Sequence, residues 1–302
     1  MPRPTLLFLA LCAALATPAL SSAGFVFNDG GTHSIGTNTD FVTVRNSSPA
    51  PGNPTTLNVL GNTNVGVASV YDTSRIEFQG GWANVVETHG ASFALLRSQS
   101  PTGSRFFATV RTRGTSRVQF SGGPLYVGNV YGYDDSSSGG EGEFGDIILS
   151  DRSSFGGGAV NIHGTIYLSD HATAALSGVI SPGPSEAVIA DNSTFYVESM
   201  NGNVFGDMYV YQSDDASLQL GRTFRRAADP YQIFPTRLTF QDTNGPSGRY
   251  LFYYGDIENV FIGGQSILPV PTPPALALAL SGMAAAGLFR LTRRLRKVTA
   301  NC

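Results

Sequence analysis

Along the chain a short phrase recurs: a polar turn residue, two small residues, then apolar positions that alternate with polar ones. It occurs as Asp72-Thr-Ser-Arg-Ile-Glu-Phe, His89-Gly-Ala-Ser-Phe-Ala-Leu, Gly114-Thr-Ser-Arg-Val-Gln-Phe and Asp151-Arg-Ser-Ser-Phe. It returns as Asp170-His-Ala-Thr-Ala-Ala-Leu, Asp191-Asn-Ser-Thr-Phe-Tyr-Val and Asp214-Asp-Ala-Ser-Leu-Gln-Leu. An Asp or Gly before Ser or Thr marks a turn, because the short side chain can bond its own backbone. The period-two alternation that follows sends Ile76 and Phe78, or Leu218 and Leu220, to one face of a strand. Such a unit buries too little alone, so the units must stack.

The pattern therefore predicts an all-β fold, a parallel β-solenoid with the hand of a right-handed β-helix, with repeats from about 40 to 222. A β-sandwich is the alternative, since it too offers strands every 8–12 residues. Successive phrases start 17, 25, 37, 19, 21 and 23 residues apart. The interval of 37 is either two rungs or one rung with an insertion, and the glycine-rich acidic loop at 134–145 favours the insertion. After Arg222 the phrase stops. The aromatic segment 223–268 is expected to cap the coil and blunt its open edge. The proline-containing stretch 24–56, with Pro49, Pro51 and Pro54, is expected to do the same at the other end.

The two ends follow other rules. In residues 1–23, Arg3 is followed by an apolar run of 11 residues from Leu6 to Ala16, a Pro18 break and the small residues Ser21-Ser22-Ala23. That is the plan of a secretory signal helix cut after Ala23, which makes 24–268 the mature body. At the far end, residues 269–274 form a proline spacer. Residues 275–289 are 15 uncharged residues, and 290–302 are a basic tail with Arg290, Arg293, Arg294, Arg296 and Lys297. As a helix starting near Pro274 the stretch spans about 24 Å, short of a ~30 Å hydrocarbon core but sufficient if the arginines snorkel. One C-terminal transmembrane helix with its cations in the cytoplasm is the expectation.

Composition agrees with a β-rich body, with 36 glycines, 19 phenylalanines, 12 tyrosines and 14% charged residues. Residues 24–268 carry 13 arginines against all 22 acidic residues, a net −9, and Lys297 is the only lysine of the chain. An acidic body without lysine is a poor polyanion binder, so nucleic acid is not an expected partner. Cys12 and Cys302 both lie in the end segments, which leaves the body without a thiol for a disulfide, a zinc site or a nucleophile.

The order of proline motif, short apolar helix and terminal arginines resembles the sorting signal of PEP-CTERM proteins of exopolysaccharide-producing Gram-negative bacteria. The matching residues are Val270, Pro271, Thr272 and Pro273, with threonine where the family carries glutamate. The resemblance implies recognition by an exosortase-like sorting enzyme. It also implies anchoring in the inner membrane before sorting, then display at the cell surface or outside the cell, in association with exopolysaccharide. A structural protein without turnover or cofactor follows from it. The alternatives are a polysaccharide lyase or glycoside hydrolase on a β-helix scaffold, and an adhesin.

Chemistry is sparse. His33, His89, His163 and His171 form no HxH or HxxxH pair, and no nucleophile elbow or P-loop occurs. The acidic stretch Asp134, Asp135, Glu141, Glu143 and Asp146 is the one candidate for Ca²⁺, which takes six to eight oxygens. A solvated loop is the plain alternative. Arg97, Arg105, Arg111, Arg113 and Arg117 are expected to face solvent on stacked rungs.

Overall fold

A computed structural model describes residues 24–48, 52–97, 105–122, 125–180, 185–200, 207–231, 237–243 and 249–268. The signal segment, the proline spacer with Val270 to Pro273, the apolar run 275–289 and the basic tail lie outside them. Among the described residues, no helix is long and apolar enough to cross a membrane.

The described body up to residue 265 is a parallel β-solenoid. The first coil holds β1 (Gly24–Phe27) and β2 (Thr32–Ile35). Next come β3 (Thr39–Val44) with β4 (Thr56–Leu60), β5 (Asn64–Val70) with β6 (Arg75–Gln79), and β7 (Trp82–Thr88) with β8 (Phe93–Arg97). β9 (Arg105–Thr112) and β10 (Arg117–Ser121) follow, then β11 (Leu125–Gly132), the long β12 (Ser137–Leu149) and β13 (Ser154–Ile162). β14 (Thr165–Leu168) is joined to β15 (Thr173–Ile180), β16 (Ser185–Ile189) to β17 (Thr194–Val197), and β18 (Met208–Gln212) to β19 (Ser217–Leu220).

Each strand pairs in parallel with the strand one coil away, so that two ladders run up the body. One passes through β1, β3, β5, β7, β9 and β11, and the other through β2, β4, β6, β8 and β10. The alternation in the repeat becomes a strict inside–outside code. Ile76 lies between Leu57 and Ala94, and Phe78 between Val59 and Leu96, all of them at 0% exposure. Deep in the coil, the rings of Phe120, Phe144 and Phe155 pack edge to face, with centroids 5.1 and 5.2 Å apart on either side of Phe144.

Two expectations are corrected. The stretch 134–145 is not an insertion. Asp134 occupies a corner of its own and β12 runs through the acidic segment, so the interval contains two coils, of 20 residues (Gly114 to Asp134) and 17 residues (Asp134 to Asp151). The start of β12 pairs with β10, and its end pairs with β11. The corner between these halves is turned at Gly140 and Gly142, at φ +139° and +150°, within the strand and with a register shift. Glycine is needed there because a Cβ on Gly140 would lie 2.0 Å from the Phe120 carbonyl oxygen. The second correction concerns the N-terminal stretch. Its strands β1 to β4 are ordinary rungs of the coil, paired in parallel, and not a cap.

The C-terminal segment does change character. β20 (Phe224–Ala227) and β21 (Leu238–Asp242) are antiparallel, and β21 lies antiparallel to β22 (Arg249–Tyr254). β22 and β23 (Val260–Ile262) complete a last parallel coil on β18 and β19. One ladder thus ends under two antiparallel strands.

Candidate functional site

From β6 to β19, the corner that precedes the strands of the second ladder is the most repetitive feature of the molecule. Asp72, Asp134, Asp151, Asp170, Asp191 and Asp214 all adopt the left-handed region, with φ between 56° and 62°. Gly90 and Gly114 take the equivalent place in the intervening coils, at φ 68° and 69°. Aspartate is among the few side chains that tolerate this conformation, which explains the choice between Asp and Gly. The His89 phrase is accordingly aligned on Gly90, one residue later than its first polar residue.

The carboxylates join the coils. Asp134 accepts the Gly114 N–H at 2.9 Å, and Asp151 accepts the Asp134 N–H at 3.1 Å. Asp170 accepts the Asp151 N–H at 3.2 Å, and Asp191 the Asp170 N–H at 3.0 Å. Two residues further on, Ser74, Ser92, Ser116, Ser136, Ser153 and Ser193 turn inward and are buried. Ser92 and Ser116 donate to the Val70 and Thr88 carbonyls one coil away, at 3.1 and 3.3 Å. A charged outer column and a hydroxyl inner column therefore satisfy the corner's backbone groups.

The five acidic residues of the calcium candidate are distributed by this geometry. Asp134 is in the corner column. Asp135 makes a two-pronged pair with Arg152 at 2.6 and 2.9 Å, which raises the guanidinium pKa. Glu143 lies 3.3 Å from His163 Nε2, and Asp146 accepts the Thr165 N–H at 2.9 Å. Glu141 is exposed on β12. Among the described residues, no group of three or more His, Cys, Asp or Glu side chains is placed to hold a metal ion. A recess of about 620 Å³ beside the corner is lined by Asp134, Asp135, Asp151, Arg152, Asp170 and His171.

The outer face of the first ladder carries a different pattern. Tyr131, Ile148, Tyr167, Val188, Tyr211 and Tyr254 occupy one outward column on consecutive coils. Tyr167 and Tyr211 are 44% and 40% exposed. The Tyr211 and Tyr254 rings stack at 5.1 Å and 13°, so they cover each other's faces and leave their edges to solvent. Three arginines on or beside these strands are held by neighbours. Arg111 pairs with Glu87 at 2.9 Å, and Arg113 lies over the Tyr133 ring at 5.1 Å. Arg45 covers Tyr71, whose other neighbour is the stacked ring of His89 at 4.7 Å.

One cluster has no signal in the repeat. Arg237, 3% exposed in its side chain, forks onto Asp229 at 2.5 and 2.6 Å. It also donates to Tyr254 Oη at 3.0 Å and lies 4.2 Å from the centre of the Phe252 ring. Asp229-Pro230 looks like a break in the pattern, and its partner eight residues away follows no periodicity. The pair fastens the antiparallel cap to the last coil.

Comparison with known protein families, with curated proteins and with solved structures finds no match to this chain.

Proposed function

We propose that the chain is an exported structural protein, a surface or extracellular-matrix component associated with exopolysaccharide and without catalytic turnover. Residues 1–23 deliver it and are removed after Ala23. The 275–289 helix holds it in the inner membrane, with Arg290, Arg293, Arg294, Arg296 and Lys297 on the cytoplasmic side. An exosortase-like enzyme acts at Val270 to Pro273 before the body reaches the surface. The coil takes the right hand that parallel crossovers adopt.

The observation that carries this reading is the use made of the charged side chains. The carboxylates of Asp134, Asp151, Asp170 and Asp191 each bind a backbone N–H of the adjacent coil. Arg111, Arg152 and Arg237 bind carboxylates of the same body. Groups that an enzyme would direct at a substrate here bind coil to coil or fasten the cap, as suits a structural element.

The test has two readouts. Full-length protein expressed in a Gram-negative host with a PEP-CTERM system is followed by intact mass and by protease shaving of whole cells. The expected outcome is a chain that starts at Gly24 and whose body is accessible from outside. Purified protein is then incubated with acidic and neutral polysaccharides, and no new reducing ends or unsaturated products are expected. Release of either overturns the structural reading in favour of the lyase or hydrolase.

A further inference from the structure

The two ends of the coil are finished differently. At the C-terminal end of the first ladder, β21 and β20 lie antiparallel over β22. At the N-terminal end, β1 pairs only with β3 and β2 only with β4, and among the described residues no strand lies along their other edges. In a parallel rung, the N–H and C=O of one residue point to the same neighbour. The Phe27 and Gly31 carbonyls bond inward, to Arg45 N–H and Thr56 N–H, each at 2.9 Å. Alternation then aims the backbone groups of Val26, Thr32 and Ser34 out of the end of the coil.

The side chains of this first rung form an open section through the core. Phe25 and Phe27 sit over Val42 and Val44, and His33 and Ile35 over Leu57 and Val59, a layer no more than 1% exposed. The first-rung rings pack side by side, Phe25 with Phe27 at 6.1 Å and Phe27 with His33 at 4.8 Å. Phe25 nevertheless remains 37% exposed. A terminal repeat ordinarily needs a polar outer face, and an apolar plate with free strand edges is a template for another strand.

We infer that this end is an interface between two copies of the chain, joined head to head. A strand edge is completed by a strand. The opposite end of a second copy does not offer a matching one, because its first ladder finishes under antiparallel strands. The like end does, and a two-fold axis between the copies makes a closed dimer, not a filament. Charge permits the approach. The only ionisable side chains of the first rung are Asp29 and His33, bound to each other at 2.7 Å, so no run of like-charged side chains opposes the approach. The inference rests on the export reading in one respect: cleavage after Ala23 makes Gly24 the first residue, leaving nothing upstream to cover the end.

The test is the oligomeric state of the exported, processed protein by light scattering and sedimentation velocity, with intact mass recorded on the same sample. A dimer is expected. Val26→Pro removes an outward N–H without breaking an inward bond, and Val26→Lys sets two cations near each other across the axis. Both variants should dissociate at least about tenfold more readily, a difference of one decade in Kd, while circular dichroism and melting of the monomer stay unchanged. A protein that begins at Gly24 and is monomeric, or a dimer indifferent to both substitutions, overturns the interface alone. A surface-exposed chain that keeps residues 1–23 overturns the cleavage reading and the interface together.

Discussion

Asp151 closes the corner of the preceding coil: its Oδ2 accepts the backbone N–H of Asp134 at 3.1 Å, while its own backbone holds φ at 57°. One side chain thus performs two tasks, tolerance of a left-handed conformation and capture of a neighbour's donor. Substitutions separate them. Asp151→Gly keeps the conformation and loses the acceptor, and should cost about 1 kcal/mol. Asp151→Ala loses both and should cost about 2 kcal/mol, while Asp151→Asn should stay within about 0.5 kcal/mol of the parent. Urea unfolding measures the order. Equal losses for Gly and Ala would remove the conformational part of the argument.

The same corner shows what the sequence discloses. Asp72, Asp151 and Asp191 share a positive φ, and the parallel pairing of the strands that follow them sets these residues along one edge, as the recurring phrase predicts. The strand faces and the parallel stacking were legible because each coil repeats the same inward pair. The Asp134 corner was not legible. Asp-Asp-Ser-Ser-Ser-Gly-Gly-Glu-Gly-Glu has the composition of a flexible loop, yet its glycines are required by backbone contact. A Cβ on Gly139 would lie 2.1 Å from the Gly156 carbonyl oxygen. Local composition does not report how closely a neighbouring coil approaches. The five acidic residues of the calcium candidate are separated for the same reason, since residues close in sequence are distributed around a coil, and Asp134, Asp135, Glu143 and Asp146 meet different neighbours.

Arg237 offers a sharper test of the cap. It is buried, bound through two nitrogens to Asp229 and capped by Tyr254 Oη. Truncation to Ala leaves a carboxylate without its counter-ion and should destabilise the protein by about 3 kcal/mol. Arg237→Lys retains the charge but not the planar fork, and should recover less than half of that loss. Thermal melting followed by tyrosine fluorescence is the measurement. A Lys variant equal to wild type would mean that charge alone matters there.

The tyrosines of the last coils predict a loss of stability in alkali. Burial is the main cause that pushes the Tyr253, Tyr209 and Tyr211 hydroxyls above their ordinary value of 10.0. A group whose folded pKa is raised keeps its full contribution below the unfolded pKa. That contribution is lost as pH rises toward the folded value. Stability should therefore hold up to about pH 10 and fall above it. Tyr253, whose hydroxyl donates to the Asp256 carbonyl at 2.8 Å, carries the largest share of the fall. Tyr253→Phe loses that bond, about 1 kcal/mol at neutral pH, but should flatten the alkaline slope. An unchanged slope in the variant would assign the fall to other groups.

Phe144 tests whether the coil behaves as a chain of neighbours. Its ring lies edge to face between Phe120 and Phe155, which come from the coils on either side, at 5.1 and 5.2 Å. All three are at most 2% exposed. Phe144→Ala should cost about 3–5 kcal/mol through lost burial and the cavity left behind. Phe144→Leu, closer in volume, should cost about 1.5 kcal/mol. Because Phe144 touches Phe155, the pair Phe144→Leu and Phe155→Leu should depart from additivity by at least about 0.5 kcal/mol. Phe144→Leu with Phe78→Leu should add, since Phe78 lies three coils toward the N-terminus and packs instead on Phe107 at 5.2 Å. Denaturant unfolding of both double-mutant cycles decides the point. Coupling of equal size in the two cycles would mean that the body unfolds as one undivided core, with coil-to-coil contacts no longer the unit of its stability.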